Sequence, residues 1–279
     1  MSNRVIKLGD LECRVLYDGS RTIGAMTSGS ARKFIFGDAP DDELDTCLRP
    51  YGGIDSLTQI PFNYLLVRGK DHTTLLDTGC GDQSENDKHP DEPAGLLIDS
   101  LHKAGLSVKD VDTVIISHSH WDHFGGAVVD GEITFPNAYY VMSDREAEHI
   151  KINTKGWALD YLHLIGDRLR LVPDTTEVSP GITMKTYPGH TPGITVTEVT
   201  SNSETLLYTS DLIIHQAHIE HTDWIPSFET DRTAAKASRS KLINEACERN
   251  LLLFVPHIPR SFGRITRDPS RYRWTDEPI

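Results

Sequence analysis

Six consecutive residues carry three histidines and an aspartate, His118-Ser119-His120-Trp121-Asp122-His123, with Val114-Ile115-Ile116 just before them and Phe124-Gly125-Gly126 just after. Imidazole nitrogen and carboxylate oxygen are the donors that zinc-like divalent cations take, and a site forms where several converge from a backbone able to hold them. In an extended or tightly turned segment, residues i and i+2 project to the same side, so His118 and His120 can share one ion. Asp122 and His123 then turn toward a neighbouring position. The two glycines let the chain fold back where a side chain would intrude. The alternative is a polar surface loop, and four donors at this spacing behind an apolar strand argue against it.

Donors so placed need strands to deliver them. Val111 to Ile116 is rich in β-branched residues and reads as the strand behind the cluster. Residues 11 to 17 and 62 to 68 also read as strands, the second turning through Arg68-Gly69-Lys70-Asp71 into Thr73 to Leu76 and ending in Asp77-Thr78-Gly79. Pro93 fits a first helical turn, Leu96, Leu97, Leu101 and Leu106 share a face, and Gly105 fits the helix stop. Further strands are predicted at 138–142, 168–172, 182–187, 194–199, 205–209 and 251–255, with helices near 143–150 and 231–249. In the last helix Ala234, Ala237, Leu242 and Ala246 form the packed side, with Lys236, Arg239 and Lys241 among the polar positions. Residues 18 to 60 show little periodicity and are too long for a simple connection; they are expected to cover a site or a partner.

Composition narrows the function. With 279 residues, 38% of them hydrophobic and 25% charged, one domain spanning 1–279 is expected. There is no apolar run of membrane-spanning length, and the first ten residues lack the apolar core of a secretory signal, so a cytoplasmic protein is expected. The formal charge of -13 opposes nucleic acid and leaves small molecules as substrates. Cys13, Cys47, Cys80 and Cys247 form no Cys-x-x-Cys pair and read as reduced, packed thiols.

His-x-His-x-Asp-His followed by Gly-Gly resembles the signature of the metallo-β-lactamase superfamily, and the match continues in order from about residue 60 to 260. Pro188-Gly189-His190-Thr191-Pro192-Gly193 supplies the next histidine, Tyr208-Thr209-Ser210-Asp211 an aspartate, and Phe254-Val255-Pro256-His257 the last histidine. Taken singly, His190 reads as a turn residue, His257 as a core histidine and Asp211 as a helix cap; joined to the cluster, all three read as ligands. The resemblance implies a four-layer αβ/βα sandwich, two mixed sheets face to face with helices outside. It also implies two divalent metal ions, with His118, His120 and His190 on the first, Asp122, His123 and His257 on the second, and Asp211 bridging them. Asp77 would orient a ligand histidine. Zinc (Zn2+) is the default, while iron, manganese or cobalt would accept the same donors. The implied chemistry is hydrolysis by a metal-bridging hydroxide, with Asp122 also shuttling the proton.

Within the family, Asp211 and His123 exclude the subclass that places cysteine at the first position and lacks the second. The short tail after His257 does not match the helical domain of the glutathione-thioester hydrolases. Ser210-Asp211-Leu212-Ile213-Ile214-His215, then Asp223-Trp224 and Phe228-Glu229-Thr230-Asp231, is similar to the acyl-homoserine lactonases and the related organophosphate triester hydrolases. A small lactone or ester is thus the expected substrate, a phosphotriester the alternative, and a redox or sensing role using iron in the same cage the third reading. The lactonases carry a tyrosine three residues after the bridging aspartate, where this chain has Ile214. His215, His218 and His221 are the polar replacements on offer, and Trp121 either packs as core, the heavier reading, or lines the pocket. His215 and Trp121 are accordingly the candidate substrate contacts. A homodimer is implied by the resemblance alone.

Overall fold

A computed structural model describes residues 4–278 apart from 28, 58, 87, 154, 155 and 270. The long apolar runs dominate its organisation. Among the described residues, strands build two seven-stranded sheets and a short two-stranded ribbon. The first sheet holds β1 (Val5–Leu8), β2 (Leu11–Arg21), β3 (Ile60–Arg68), β4 (Thr73–Leu76), β5 (Thr113–Ile115), β6 (Tyr139–Ser143) and β7 (Leu169–Val172), in that order. It is antiparallel up to β4 and parallel from β4 to β7. The second sheet runs β8 (Thr175–Ser179), β9 (Ile182–Thr186), β10 (Thr195–Ser201), β11 (Glu204–Tyr208), β12 (Leu252–Phe254), β13 (Phe262–Arg267) and β14 (Tyr272–Asp276). Its one parallel step joins β11 to β12.

The inner faces meet through Leu65, Val67, Leu76 and Ile115 on one side and Met184, Val199, Tyr208 and Phe254 on the other. β3 and β4 are covered on both faces, which is why they read as unbroken apolar runs and not as alternating ones. Outside the first sheet Leu97, Leu101, Ala147 and Ile150 pack on Leu66, Leu75, Val114 and Tyr140. Outside the second, Leu242, Ile243 and Ala246 of helix Arg232–Glu248 pack on Val196, Leu207 and Leu253. The four-layer sandwich is therefore the architecture found. No helix among the described residues is long and apolar enough to cross a membrane.

Three local expectations need correcting. The helix after Pro93 begins only at Leu97, where Asp18 Oδ1 accepts from Leu97 N at 2.7 Å; a distant carboxylate starts the helix, and Pro93 lies outside it. In helix Arg232–Glu248 the buried face is Ala235, Ser238, Arg239, Leu242, Ile243 and Ala246, while Ala237 is exposed. Arg239 joins the packed side because its guanidinium finds carbonyl and carboxylate partners there. The stretch between β2 and β3 is not irregular: it holds helices Ile23–Met26, Ala31–Phe36 and Asp41–Leu48, too short to show a period. Helix Trp157–Ile165 and the outer strands β1, β8, β13 and β14 escaped the sequence reading altogether.

Strand ends deliver the chemistry. Asp77 follows β4, the histidine cluster follows β5, Asp211 follows β11, and His257 follows β12. His190 sits in the turn from β9 to β10, where Gly189 has φ +145° and an added Cβ would stand 2.2 Å from Ala235 N. That turn is pressed onto the start of helix Arg232–Glu248. Gly189→Ala is expected to cost about 2 kcal/mol or more, roughly 5 °C of Tm at this size. The control is Gly131→Ala, where φ is +76° but space is open and only the backbone term applies. Equal Tm losses in thermal unfolding would show that the Gly189 contact relaxes freely.

Candidate metal centre

The seven donors come together in two groups. His118, His120, His190 and Asp211 place one ligand atom each within 4.8 Å of the others, and Asp122, His123 and His257 do the same. His190 Nε2 lies 3.2 Å from His118 Nε2, 2.9 Å from His120 Nδ1 and 3.3 Å from Asp211 Oδ2. In the second group His123 Nε2 lies 3.2 Å from His257 Nε2 and 3.6 Å from Asp122 Oδ2. Asp211 Oδ1 stands 2.9 Å from His123 Nε2 and 3.0 Å from His257 Nε2. One oxygen of Asp211 thus faces each group.

Ring nitrogens crowded on ring nitrogens make a poor hydrogen-bond network, because His190 Nε2 would have to serve two imidazoles at once. Four donors about 2.0–2.1 Å from a tetrahedral ion stand about 3.3 Å apart, which is close to the spacing observed. The donor set therefore fits divalent cations. Burial and the neighbouring imidazoles push His118 well below its ordinary pKa, and burial with His190 pushes His120 down to about 3. Neutral imidazole is the form that binds a metal. Burial would raise Asp211, but His123 and His257 overcome it and hold the carboxyl well below the usual range.

The far nitrogen of four of these histidine rings is also held, which fixes ring orientation. His123 Nδ1 is 2.7 Å from Asp77 Oδ2, and Asp77 also accepts from Ser117 N, Ser117 Oγ and Tyr208 Oη, each at 2.7 Å. His257 Nδ1 donates to Pro61 O at 3.1 Å, and His118 Nδ1 is 3.1 Å from Ser117 Oγ. His190 Nδ1 is 3.2 Å from Glu229 Oε2, a partner the sequence did not single out. Glu229 in turn meets Arg239, whose guanidinium donates to Leu212 O and Trp224 O. Glu146 was missed as well. It accepts from Ser119 N and Oγ on the cluster loop and from Thr191 Oγ1 and Gly193 N beside His190, tying the two ligand loops together. No local motif marks either glutamate, since each is recognisable only by partners distant in the chain.

Two backbone features support the crowding. Asp77 and Ser210 have φ of +64° and +48°, a conformation costly for residues with a Cβ and maintained here by the surrounding bonds. Gly125 and Gly126 lie so close to the β4 end that an added Cβ would come 2.2 Å from Cys80 O and 2.1 Å from Thr78 O, the close return their sequence position announces.

A cavity of about 480 Å³ opens beside the cluster, with His120, Asp122, Asp211 and His257 in its wall. Met26 and Phe34 from the stretch between β2 and β3 close one side, so that excursion covers the site. Trp121 is half-buried, lines the cavity and stands edge-on to Phe62 at 5.4 Å; it is not simple core. His215 does not line this cavity. It is buried, its Nδ1 accepts from Ala217 N at 3.0 Å, and its ring meets the edges of Phe36 and Tyr51 beside a smaller cavity of about 280 Å³. His218 bonds Ile35 O at 3.0 Å and His221 stacks on Trp224 at 3.7 Å. The three histidines read as polar replacements are packing residues, because the turn that carries them folds under helix Ala31–Phe36.

Residues 58–252, more than half of the chain, match the family model described as metallo-beta-lactamase superfamily. An N-acyl homoserine lactonase of Bacillus sp is 24% identical over 219 residues, 70% of this chain and 83% of that protein. Among solved structures, AidC, a dizinc quorum-quenching lactonase in complex with a product, superposes with TM-score 0.87 at 28% identity, covering 100% of this chain and 98% of that one. The hydrolase AbOPH of the beta-lactamase superfamily gives TM-score 0.85 at 20% identity over 99% and 98%.

Burial alone drives His215 down from 6.5 to about 3. The unfolded chain takes up this proton near pH 6.5 and the fold only near pH 3, so stability falls as the pH drops below about 6.5. The slope from this one group approaches about 1.4 kcal/mol per pH unit. Urea unfolding of the protein and of His215→Asn between pH 7 and 4.5 is expected to show the steeper loss in the parent; equal slopes would mean that His215 is protonated within the fold.

Proposed function

This chain belongs to the metallo-beta-lactamase superfamily and is a metal-dependent hydrolase, and we propose that it opens a small lactone or ester in the manner of the acyl-homoserine lactonases. The observation that carries the proposal is Asp211, one carboxylate turned to two complete groups of donors beside an apolar cavity. His118, His120 and His190 would hold one ion, Asp122, His123 and His257 the other, and Asp211 both. Zinc is the metal we assign, with iron, manganese or cobalt able to use the same donors. Bound there, two divalent ions would supply an acidified water and polarisation of a carbonyl oxygen.

The chain's own residues supply position and proton handling. Asp77 and Glu229 fix the rings of His123 and His190, so the donors need not reorganise. Asp122 lies in the cavity wall, and its main-chain carbonyl is tied down by Tyr64 Oη. It is the group we assign to take the proton from the attacking water and return it to the leaving oxygen. Trp121, Phe62 and Phe228 give the substrate an apolar bed. We read residues 1–279 as one domain, and four free thiols support the reducing cytoplasm as its compartment.

One observation favours a second reading. No tyrosine is among the described residues lining the cavity, and Ile214 occupies its wall. A substrate with a good leaving group, such as an aryl phosphotriester, needs no such proton donor.

His120→Ala is expected to bring bound metal down from two ions per chain to one and to lower lactone turnover at least roughly 100-fold. Elemental analysis together with turnover decides it: full activity with one ion fewer refutes the assignment. Ile214→Tyr is expected to raise kcat/KM for a lactone more than for an aryl phosphotriester. Equal changes in both would place residue 214 away from the leaving group.

A further inference from the structure

Among the described residues, Arg21 and Arg239 head the large side chains that are almost fully buried, and their surroundings differ. Arg239 has a buried carboxylate, Glu229 Oε1, at 3.4 Å. Arg21, 2% exposed at the end of β2, has no carboxylate within ion-pair distance among the described residues. Its partners are neutral oxygens: Ser20 O at 3.3 Å, Asn86 Oδ1 at 2.8 Å, and Ser84 O. The acids in nearby segments are engaged elsewhere. Asp18 accepts from Cys80 N and Leu97 N, Glu85 pairs with Lys88 at 2.7 Å, and Glu92 accepts from Thr22 N at 2.6 Å.

A guanidinium offers five N–H donors, and these bonds use three. Nε makes none of them. Arg21 is in the wall of the cavity beside the metal donors. Strand register gives the placement. Arg21 pairs with Ile60 and Gly19 with Phe62, and the Phe62 ring lies 5.7 Å from the His257 ring. Arg21 therefore starts about 7 Å along the sheet from Phe62, with apolar Met26 and Phe34 also in the wall. Holding the loop at Ser84–Asn86 uses hydrogen bonds but not the charge, and enclosing a cation without a counter-charge is costly.

We propose that Arg21 binds an anionic group of the substrate, so that the preferred substrate is a lactone or ester whose acyl arm ends in a carboxylate. The inference rests on the lactone or ester reading above. The methylenes of the arm would lie along the apolar wall, and its carboxylate would take the free donors of the guanidinium fork. A built-in cation is what such a substrate needs here, since the net charge of -13 otherwise repels anions.

The test compares N-succinyl- with N-pentanoyl-homoserine lactone on the zinc-loaded protein. These two arms are close in length and differ in the terminal charge. The expected result is kcat/KM at least about tenfold higher for the succinyl compound, falling to a ratio near one in Arg21→Met. Where that variant does not fold, Arg21→Lys serves, with the ratio expected to fall at least about threefold through loss of the fork. A parent protein that prefers the pentanoyl compound or treats both alike overturns the proposal while leaving the lactonase reading intact, as does a preference that survives substitution. If neither lactone is turned over, the lactonase reading fails, and glutarate binding by calorimetry then judges Arg21. Affinity at least about tenfold weaker in Arg21→Met supports the anion site; equal affinity overturns it.

Discussion

Seven imidazole and carboxylate donors meet in a space too small for an ordinary hydrogen-bond network, and the fold is arranged to hold them there. Asp211 is the hinge of the arrangement, with one oxygen to His190 at 3.3 Å and the other to His123 at 2.9 Å. Neither group is complete as an isolated piece of chain. The donors come from the ends of β5, β11 and β12 and from the turn after β9, so both sheets must be packed before they meet. The strained residues Asp77 and Ser210 and the glycines at 125, 126 and 189 are the local cost of that convergence.

How much of this was legible in the sequence depended on how far apart the interacting residues lie. His118, His120, Asp122 and His123 are contiguous, so their chemistry showed directly. His190, Asp211 and His257 look like turn, cap and core residues one at a time, and only an ordered resemblance joined them. Glu229 and Glu146 were invisible because a buried carboxylate is defined by its partners, and their partners on the donor loops are 27 to 47 positions away. His215 was misplaced for the converse reason: sequence shows a titratable ring near the metals but not that Phe36 and Tyr51 enclose it. Arg239 was put on the solvent side because burial of an arginine is improbable until Glu229, Leu212 and Trp224 are seen to receive it.

Four of the donors stand in the cavity wall, but part of that wall comes from a different part of the chain. Every donor but His257 lies within the stretch that matches the family, at a strand end or in the turn after β9. Arg21, Met26, Phe34 and Ile35 of the wall come from residues before that stretch. Change there can reshape the pocket without disturbing a donor. Trp121 is a wall residue between the donors His120 and Asp122, so its replacement acts on both.

β11 and β12 are parallel neighbours, and the chain must run through helix Arg232–Glu248 to pass from one to the other. Asp211 and His257 are therefore close in space but well separated in the time of synthesis. A nascent chain that has emerged only through residue 230 already owns every donor of the first group, while the second still lacks its last. Owning the donors is not yet holding them, since the His190 turn rests on that helix and the second sheet is unfinished without β12, so neither group is assembled until the last strands have been made.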